Sequence, residues 1–202
     1  DSSAIPTYRV CQMARQHVTV ALSGDGADEL FAGYRRYKLH LHEERFRQWL
    51  PLALRRPLFG MLGKIYPKLD WAPRFLRAKT TFQSLALDTV AAYHNSIAIL
   101  RKDQRDRLFS SAFKQRLNGY SSLEVFRRYG DKVKHLDPMK IAQYLDMKTY
   151  LVGDILTKVD RASMAHSLEV RVPFLDHKFV EWAFTADSAA NLQQGIGKYS
   201  LK

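Results

Sequence analysis

The chain has 202 residues and a formal net charge of +12, because 32 lysines and arginines stand against 20 aspartates and glutamates. Its 46% of hydrophobic residues predict a sizeable core and argue against intrinsic disorder. The longest stretch without a charged residue, residues 89–100, is too short to cross a bilayer, so no membrane span is expected.

The first elements combine helical spacing with one strand pattern. Residues 4–16 have a loose helical spacing of apolar side chains. The β-branched run that follows predicts a short buried strand near residues 17–23, bounded by Ser23 and Gly24. Helical spacing resumes after Gly33 and is clearest over residues 50–66. The chain is therefore expected to be mainly helical.

Aspartates are predicted to begin three helices in the second half. Asp137 is followed by proline and is expected to cap one helix, and Asp154 is expected to open the next. Asp176 is predicted to cap a last helix over residues 179–184. Residues 169–174 are expected to be extended, because the residue before a proline avoids the helical region.

A turn rich in glycine and acids follows the predicted strand. Ligands of open α/β sheets bind beyond the carboxyl ends of strands, where such turns lie. Gly24 and Gly26 would let the backbone approach a ligand closely. Asp25 and Asp28 would repel a bare phosphate, so an Mg²⁺ ion bound between carboxylate and phosphate oxygens gives a consistent arrangement. The alternative is an ordinary helix start, with Asp25 as the N-cap.

A second stretch, residues 154–176, sets charged residues among apolar ones. Ion pairs that fix a turn are one interpretation, with Glu169 bound to Arg171 and Asp160 bound to Arg161 or Lys158. In the other, the cations hold a carboxylate or a phosphate of a ligand.

Other motifs do not match their patterns. Residues 195–198 lack the earlier glycine and the following serine or threonine of a phosphate-binding loop, since Leu192 and Tyr199 stand there. The histidines show no metal-ligand spacing. Cys11 is the single cysteine and cannot form an intrachain disulfide, so a reducing, cytoplasmic compartment is expected.

The excess of positive charge leaves a rival class open, a basic helical nucleic-acid-binding protein. One continuous stripe of arginines would support that class, whereas scattered arginines would favour an enzyme surface and an anionic small substrate. The arginines that decide this are Arg35, Arg36, Arg45, Arg47, Arg55 and Arg56.

Taken together, residues 23–34 and 158–176 resemble the synthetase domain of glutamine-dependent asparagine synthetases, and residues 1–8 are similar as well. Residues 55–60 and 71–79 resemble the exosortase-associated amidotransferase subgroup. The resemblance implies an α/β fold of the adenine-nucleotide α-hydrolase type, a PP-loop ATPase. Residues 1–202 would form part of its C-terminal synthetase domain. The Ser-Gly-Gly-x-Asp-Ser PP-loop, the glutaminase domain and the C-terminal end with its catalytic lysine are expected outside them.

The family implies an ATP-dependent ligase with glutamine as amide donor. A carboxylate such as that of aspartate attacks the α-phosphorus of ATP, and ammonia from glutamine then displaces AMP. An acceptor such as a sugar acid of exopolysaccharide synthesis is the alternative. The implied partners are small molecules and no nucleic acid, and a homodimer of the full-length protein is left open. Residues 1–202 alone are not expected to synthesise an amide.

The resemblance also assigns the site residues. Asp25 and Asp28 are the expected catalytic residues, and Asp28 is the expected ligand of Mg²⁺ with its pyrophosphate. Asp25 stands where the family usually has glutamate, one methylene longer. The nucleotide is expected at Ser23, Gly24, Asp25 and Gly26. The substrate is expected at Lys158, Asp160 and Arg161.

Overall fold

The computed structural model describes residues 2–67, 71, 73, 78–193 and 195–201. The chain forms two compact units, one of residues 1–37 with 142–202 and the other of residues 38–141. Both are built mainly of helices, as expected. No helix within the described residues has the length and apolar character that crossing a bilayer requires.

The first unit is organised on a pair of parallel strands. Strand β1, Val20–Leu22, pairs with β2, Glu169–Arg171. The pairing continues beyond the strands, since the backbone N–H of Ser23 donates to the carbonyl oxygen of Arg171 at 2.8 Å. Helices α1, Ala4–Arg15, and α11, Thr157–Met164, pack together and supply Cys11 and Ala162 to a small core that also contains Leu168, Ala21 and Val170.

The prediction that β1 is buried is wrong. Val20 is 39% exposed and Leu22 is 74% exposed, whereas Ala21 between them is packed against the Cys11 core. Successive side chains of a strand point to opposite faces of the sheet. Within the described residues, α1 and α11 cover the face that holds Ala21, and the apolar pattern alone could not distinguish one covered face from two.

The other elements of the first unit are the short helix after the acidic turn and the helices and strands that follow residue 176. Helix α2, Ala27–Leu30, packs with α12, His177–Thr185, around Leu30, Phe31 and Ala183. The chain ends in a short helix α13, Ser188–Asn191, and in the antiparallel strands β3, Leu192–Gln193, and β4, Ile196–Gly197. A 3-10 turn, Tyr199–Leu201, follows.

Two of the three helix starts that were predicted at aspartates are confirmed. The Asp137 carboxylate accepts from the backbone N–H groups of Met139 and Lys140 at the start of α10, Pro138–Lys148. The Asp176 carboxylate accepts from Lys178 and Phe179 at the start of α12.

Asp154 does not open a helix. It lies inside a π-helical segment, Leu151–Leu156, that runs directly into α11, and Leu156 has helical angles of φ −68° and ψ −38°. Because the backbone stays helical there, Asp154 has no helix start to cap. The extended segment is also shorter than expected, since Pro173 begins a 3-10 turn, Pro173–Leu175, that includes Phe174.

The second unit is a group of helices. It contains most of α3, Arg35–Trp49, and the start of α10. Between them lie α4, Leu52–Ile65, α5, Lys79–Leu85, α6, Thr89–Ile97, α7, Lys102–Leu108, α8, Ser111–Leu117, and α9, Ser122–Val133. Helices α4 and α5 make the largest contact, in which the rings of Phe59 and Phe82 stack at 6.0 Å.

Of the six arginines between residues 35 and 56, three bind partners within the chain. Buried Arg47 binds Glu43, Glu44 and Ser84. Arg55, also buried, donates to three backbone carbonyl oxygens, those of Leu50, Leu85 and Leu87. Arg36 binds Asp146 in the first unit. These arginines do not form one exposed basic stripe, which favours the enzyme surface over the nucleic-acid class.

We expect Arg55→Ala to lower the free energy of unfolding by about 2–4 kcal/mol, because three carbonyl oxygens would lose a charged donor. Arg56→Ala is the matched control, since the neighbouring side chain is exposed and should change the value by less than about 0.5 kcal/mol. Urea unfolding followed by circular dichroism measures both. Equal losses in the two variants would contradict this role of Arg55.

Candidate functional site

The turn after β1 is shaped by a left-handed glycine. Gly26 has φ +86° and occupies the N-cap position of α2, where no side chain caps the helix. Asp25 instead accepts a 2.6 Å hydrogen bond from the hydroxyl of Ser23. The alternative in which Asp25 is an ordinary N-cap is therefore wrong, and its carboxylate is directed back toward the end of the strand.

Gly26 is also where the two motif regions touch. A Cβ atom at this position would lie 2.4 Å from Cδ2 of Leu175, so a side chain there would collide with the second motif region. The positive φ alone would strain other residues. Both constraints follow from the strand pairing, which brings the segment after β2 against the turn after β1.

A cavity of about 390 Å³ opens beside this turn. Ser23, Asp25 and Lys158 line it with a hydroxyl, a carboxylate and an ammonium group, and Lys158 Nζ donates to the Ser3 hydroxyl at 2.7 Å. Its size falls in the range of small-molecule sites, which combine apolar walls with a few polar groups. The apolar part of the wall comes from Pro6, Val10, Cys11, Ala14, Ala21, Leu22, Val159, Leu168 and Val170. Burial raises the pKa of the Cys11 thiol, which keeps it in the neutral form.

Asp28 lies on α2 and is not among the residues that line this cavity. Its Oδ1 is 3.0 Å from Nζ of Lys198, and the two side chains are 37% and 33% exposed. A Cβ on Gly33 would fall 1.9 Å from the same oxygen, so the carboxylate lies directly over that glycine. Of the expected nucleotide residues, Ser23 and Asp25 line the cavity, whereas Gly24 and Gly26 do not. The expected Mg²⁺ ligand, Asp28, belongs to a separate acid–base pair.

The donor set near Asp28 suits Mg²⁺ only together with a ligand. No group of three or more His, Cys, Asp or Glu side chains that could hold a metal occurs among the described residues. Mg²⁺ is commonly held by one or two carboxylates and by phosphate oxygens and water. A single, partly exposed carboxylate such as that of Asp28 fits this mode of binding.

Lys198 is a residue that sequence reasoning missed. Residues 195–198 were considered only as a phosphate-binding loop, whose pattern they do not match. The hairpin of β3 and β4 brings Lys198 to the turn, where its backbone N–H donates to the carbonyl oxygen of Phe31 at 2.8 Å. A Cβ at Gly197 would lie 2.2 Å from the carbonyl oxygen of Ala32, so this close approach requires glycine. Nothing local in the sequence indicates the pairing with Asp28.

The three expected substrate residues of α11 are not all brought together. Lys158 lines the cavity, whereas Asp160 and Arg161 are exposed and are not among its lining residues. Within the described residues neither Asp160 nor Arg161 forms an ion pair. The expected pair of Arg171 with Glu169 is confirmed, at 2.7 Å on the surface.

Side chains of helix α10 form hydrogen bonds with the end of α2 and with the residues that follow it. The amide of buried Gln143 donates to the carbonyl oxygens of Glu29 and Leu30, at 2.7 and 2.8 Å. One oxygen of fully buried Asp146 accepts from Arg36 at 2.7 Å and from the Tyr37 hydroxyl at 2.6 Å. These bonds satisfy the end of α2, which is too short to be stable alone.

An aromatic sandwich extends this anchor. The Arg36 guanidinium lies 3.9 Å from the ring centre of Tyr34 and 4.5 Å from that of Tyr150. Such cation–π contacts add to the ion pair with Asp146. The segment that leaves the acidic turn is therefore held by both charge and packing.

Glu29 is a buried acid that directly follows the partly exposed Asp28. Its side chain is 1% exposed and accepts from the Tyr34 hydroxyl at 2.8 Å. Burial raises the pKa of Glu29, and the nearby Asp146 and Asp28 raise it further. Burial and the Glu29 carboxylate also raise the pKa of Tyr34, so its hydroxyl stays protonated and keeps donating.

Comparisons with known proteins find matches to the sequence of the whole chain. The family model described as Asparagine synthase covers residues 1–202. The chain belongs to the asparagine synthase family.

Asparagine synthetase [glutamine-hydrolyzing] 1 of Bacillus subtilis is 32% identical over 202 residues, which are 100% of this chain and 30% of that protein. A putative asparagine synthetase [glutamine-hydrolyzing] of Mycobacterium bovis is 34% identical over 207 residues, covering 100% of this chain and 29% of the relative. Amidase chyE of Penicillium rubens is 26% identical over 184 residues, covering 83% and 25%. No solved structure matches.

This chain thus spans about 30% of the length of the bacterial relatives. The asparagine synthase domain has the PP-loop ATPase fold, and the parallel β1–β2 pair and the many helices agree with a helix-rich part of such an α/β fold. The predicted family and fold class are therefore confirmed.

The raised pKa of Glu29 predicts a pH dependence of stability. Above its ordinary pKa the unfolded chain loses the proton while the folded chain retains it, so the free energy of unfolding falls as pH rises through the raised value. Glu29→Gln keeps an acceptor for Tyr34 and removes this loss. We expect the variant to gain stability relative to the wild type as pH increases from acidic to neutral.

Urea unfolding at a series of pH values measures this difference. Glu181→Gln is the control, because that side chain is exposed and its substitution should leave the pH profile unchanged. Parallel profiles of Glu29→Gln and the wild type would show that Glu29 ionises as freely in the folded chain as in the unfolded one.

Proposed function

We propose that this chain supplies the magnesium–pyrophosphate side and part of the substrate pocket of an ATP-dependent amidotransferase. Glutamine would be hydrolysed elsewhere in the full-length protein, and the resulting ammonia would convert a carboxylate into an amide. The observation that carries the proposal is that Asp28, paired with Lys198, lies on the helix that begins directly after the turn whose Ser23 and Asp25 line the cavity with Lys158.

The proposed chemistry uses both the Asp28–Lys198 pair and the cavity. The acceptor carboxylate attacks the α-phosphorus, so that pyrophosphate leaves and an acyl-adenylate forms. Ammonia then attacks the acyl carbon, and AMP leaves with the former carboxylate oxygen. Bound Mg²⁺ would neutralise charge on the departing pyrophosphate. Asp28 is the residue we assign to hold it, and the Lys198 ammonium would neutralise a further phosphate oxygen.

The cavity residues are assigned to the reacting groups. Ser23 and Asp25 form a hydrogen-bonded pair at the carboxyl end of β1, with the backbone of Gly24 and Gly26 close by, and we place the nucleotide and intermediate there. The Asp25 carboxylate would accept a proton from the attacking ammonia. Lys158 would hold the acceptor carboxylate by charge.

Asp160 and Arg161 keep a substrate-binding role only as a prediction, because they lie outside the cavity wall. A cytoplasmic location belongs to the same proposal, since the reaction needs ATP and the chain has one thiol, that of Cys11.

In the full-length protein, we expect Asp28→Asn to lower the rate of ATP–pyrophosphate exchange by roughly two orders of magnitude, because the variant removes the charge that holds Mg²⁺. Lys198→Gln should lower it by roughly one to two orders. Asp131→Asn is the matched control, an exposed aspartate on α9, and should exchange at the wild-type rate. Wild-type exchange by Asp28→Asn would contradict the assignment.

The identity of the acceptor is a separate prediction. Relatives named asparagine synthetase favour aspartate, whereas the relatives at 25–26% identity are named amidases and keep another carboxylate, such as a sugar acid, as the alternative. We expect the full-length protein, given ATP and glutamine, to release AMP with aspartate and not with other carboxylates of a panel. Release with a sugar acid and not with aspartate would establish the alternative.

A further inference from the structure

The net positive charge is confined to one of the two units. Residues 38–141 contain 21 lysines and arginines against nine aspartates and glutamates, which gives the whole +12 of the chain. Residues 1–37 and 142–202 contain 11 of each kind and are neutral. The candidate site therefore lies in an electrically balanced unit, and the charge excess belongs to a part of the chain with no role in the proposed chemistry.

Within the charged unit, the longest stretch without aspartate or glutamate is residues 45–69. It contains six basic residues. Arg47 and Arg55 are internal, whereas Arg45, Arg56 and Lys64 are exposed. An exposed region with cations and no carboxylates attracts an anionic surface, and that attraction weakens with salt.

Helix α4, inside this stretch, exposes a continuous apolar stripe. Leu54, Leu58, Met61 and Ile65 are 59%, 46%, 56% and 72% exposed. Their spacing of four, three and four residues places them on one side of the helix. The opposite side is used within the unit, since Arg55, Phe59 and Gly63 are buried.

Two exposed tryptophans flank α4 in the sequence. Trp49, at the end of α3 and three residues before α4 begins, is 88% exposed. Trp71, after α4, is 84% exposed. Indole rings favour the boundary between water and hydrocarbon, because they combine a large apolar face with one polar N–H group.

We propose that Trp49 and the α4 stripe, together called the α4 surface, bind peripherally to a membrane that contains anionic phospholipid. The apolar side chains and the indole would insert at the headgroup level. Lipid phosphates would be bound by Lys64, on the flank of the stripe, and by Arg45, one helical turn before Trp49 on α3. Interfacial helices combine these features. Charge decides between occupants, since an anionic bilayer complements this unit, whereas a second copy would bring two units of +12 together. Nucleic acid would use the cations and leave the stripe exposed.

The test uses the full-length protein and sedimentation with lipid vesicles. Vesicles of phosphatidylcholine alone are compared with vesicles that also contain phosphatidylglycerol, at low and high salt. Leu58→Glu combined with Met61→Glu disrupts the α4 surface. The matched control is Ile99→Glu combined with Leu108→Glu, which makes the same charge change at positions of the same unit that are 93% and 68% exposed.

We expect the wild type and the control to bind vesicles with phosphatidylglycerol, more weakly at high salt, and to bind phosphatidylcholine poorly. The α4 variant should lose at least about tenfold in partition coefficient, because binding strength follows the buried apolar area. Arg45→Gln combined with Lys64→Gln keeps the stripe and should weaken binding severalfold at low salt only. This second variant decides the outcome if circular dichroism shows that the first is misfolded.

Other results would overturn the proposal. These are equal binding by the α4 variant and the control, and binding that ignores phosphatidylglycerol. No binding by the full-length wild type would overturn it as well and would assign the α4 surface to another part of that protein. Sedimentation equilibrium showing a dimer that the α4 variant dissociates would assign the α4 surface to a second copy. Displacement of the protein from vesicles by a DNA duplex, with the α4 variant binding DNA normally, would assign the charge to nucleic acid.

Discussion

The parallel pairing of β1 with β2 is the interaction on which the candidate site depends. Its register places Val20 beside Glu169, residues that are distant in the chain. This pairing carries the acidic turn at the end of β1 to the segment that leaves β2, where Leu175 fills the space that a side chain at Gly26 would need. It also brings α11, and with it Lys158, to the same cavity as Ser23. Without the pairing, the two motif regions would be unrelated loops.

A second set of interactions, made by helix α10, holds the end of α2 in place. The neighbouring acids Asp28 and Glu29 on α2 differ in exposure. Gln143 and Asp146 on α10 bind the end of α2 and the residues that follow it. Glu29 is thereby buried, which raises its pKa and favours its neutral form, while Asp28 remains partly exposed beside Lys198. Two neighbouring positions of α2 therefore hold a buried acid and a partly exposed acid.

Sequence reasoning succeeded where the determinants are local. The Asp137 and Asp176 caps follow from a short side chain that can reach the free N–H groups of the next turn. The turn at Gly26 follows from the need for a positive φ. Such signals involve a few consecutive residues, and the family resemblance was carried by the same two short regions.

The errors have long-range causes. The exposure of Leu22 depends on which face of the sheet α1 and α11 cover. Asp154 is a different case, since the helical backbone continues through it into α11. The pair of Asp28 with Lys198 joins two distant regions through a hairpin against Ala32 and Phe31. The concentration of charge in one unit is visible in the sequence only after the unit boundaries are known.

The most direct test of the central claim is to locate the divalent cation itself. Fe²⁺ in place of Mg²⁺, with ATP, hydrogen peroxide and ascorbate to regenerate Fe²⁺, produces hydroxyl radicals that cut the backbone near the bound ion. Mass spectrometry of the full-length protein identifies the cuts. The account predicts ATP-dependent cleavage next to Asp28 and next to Lys198, which lie together in space. ATP-dependent cleavage confined to other parts of the protein would contradict it.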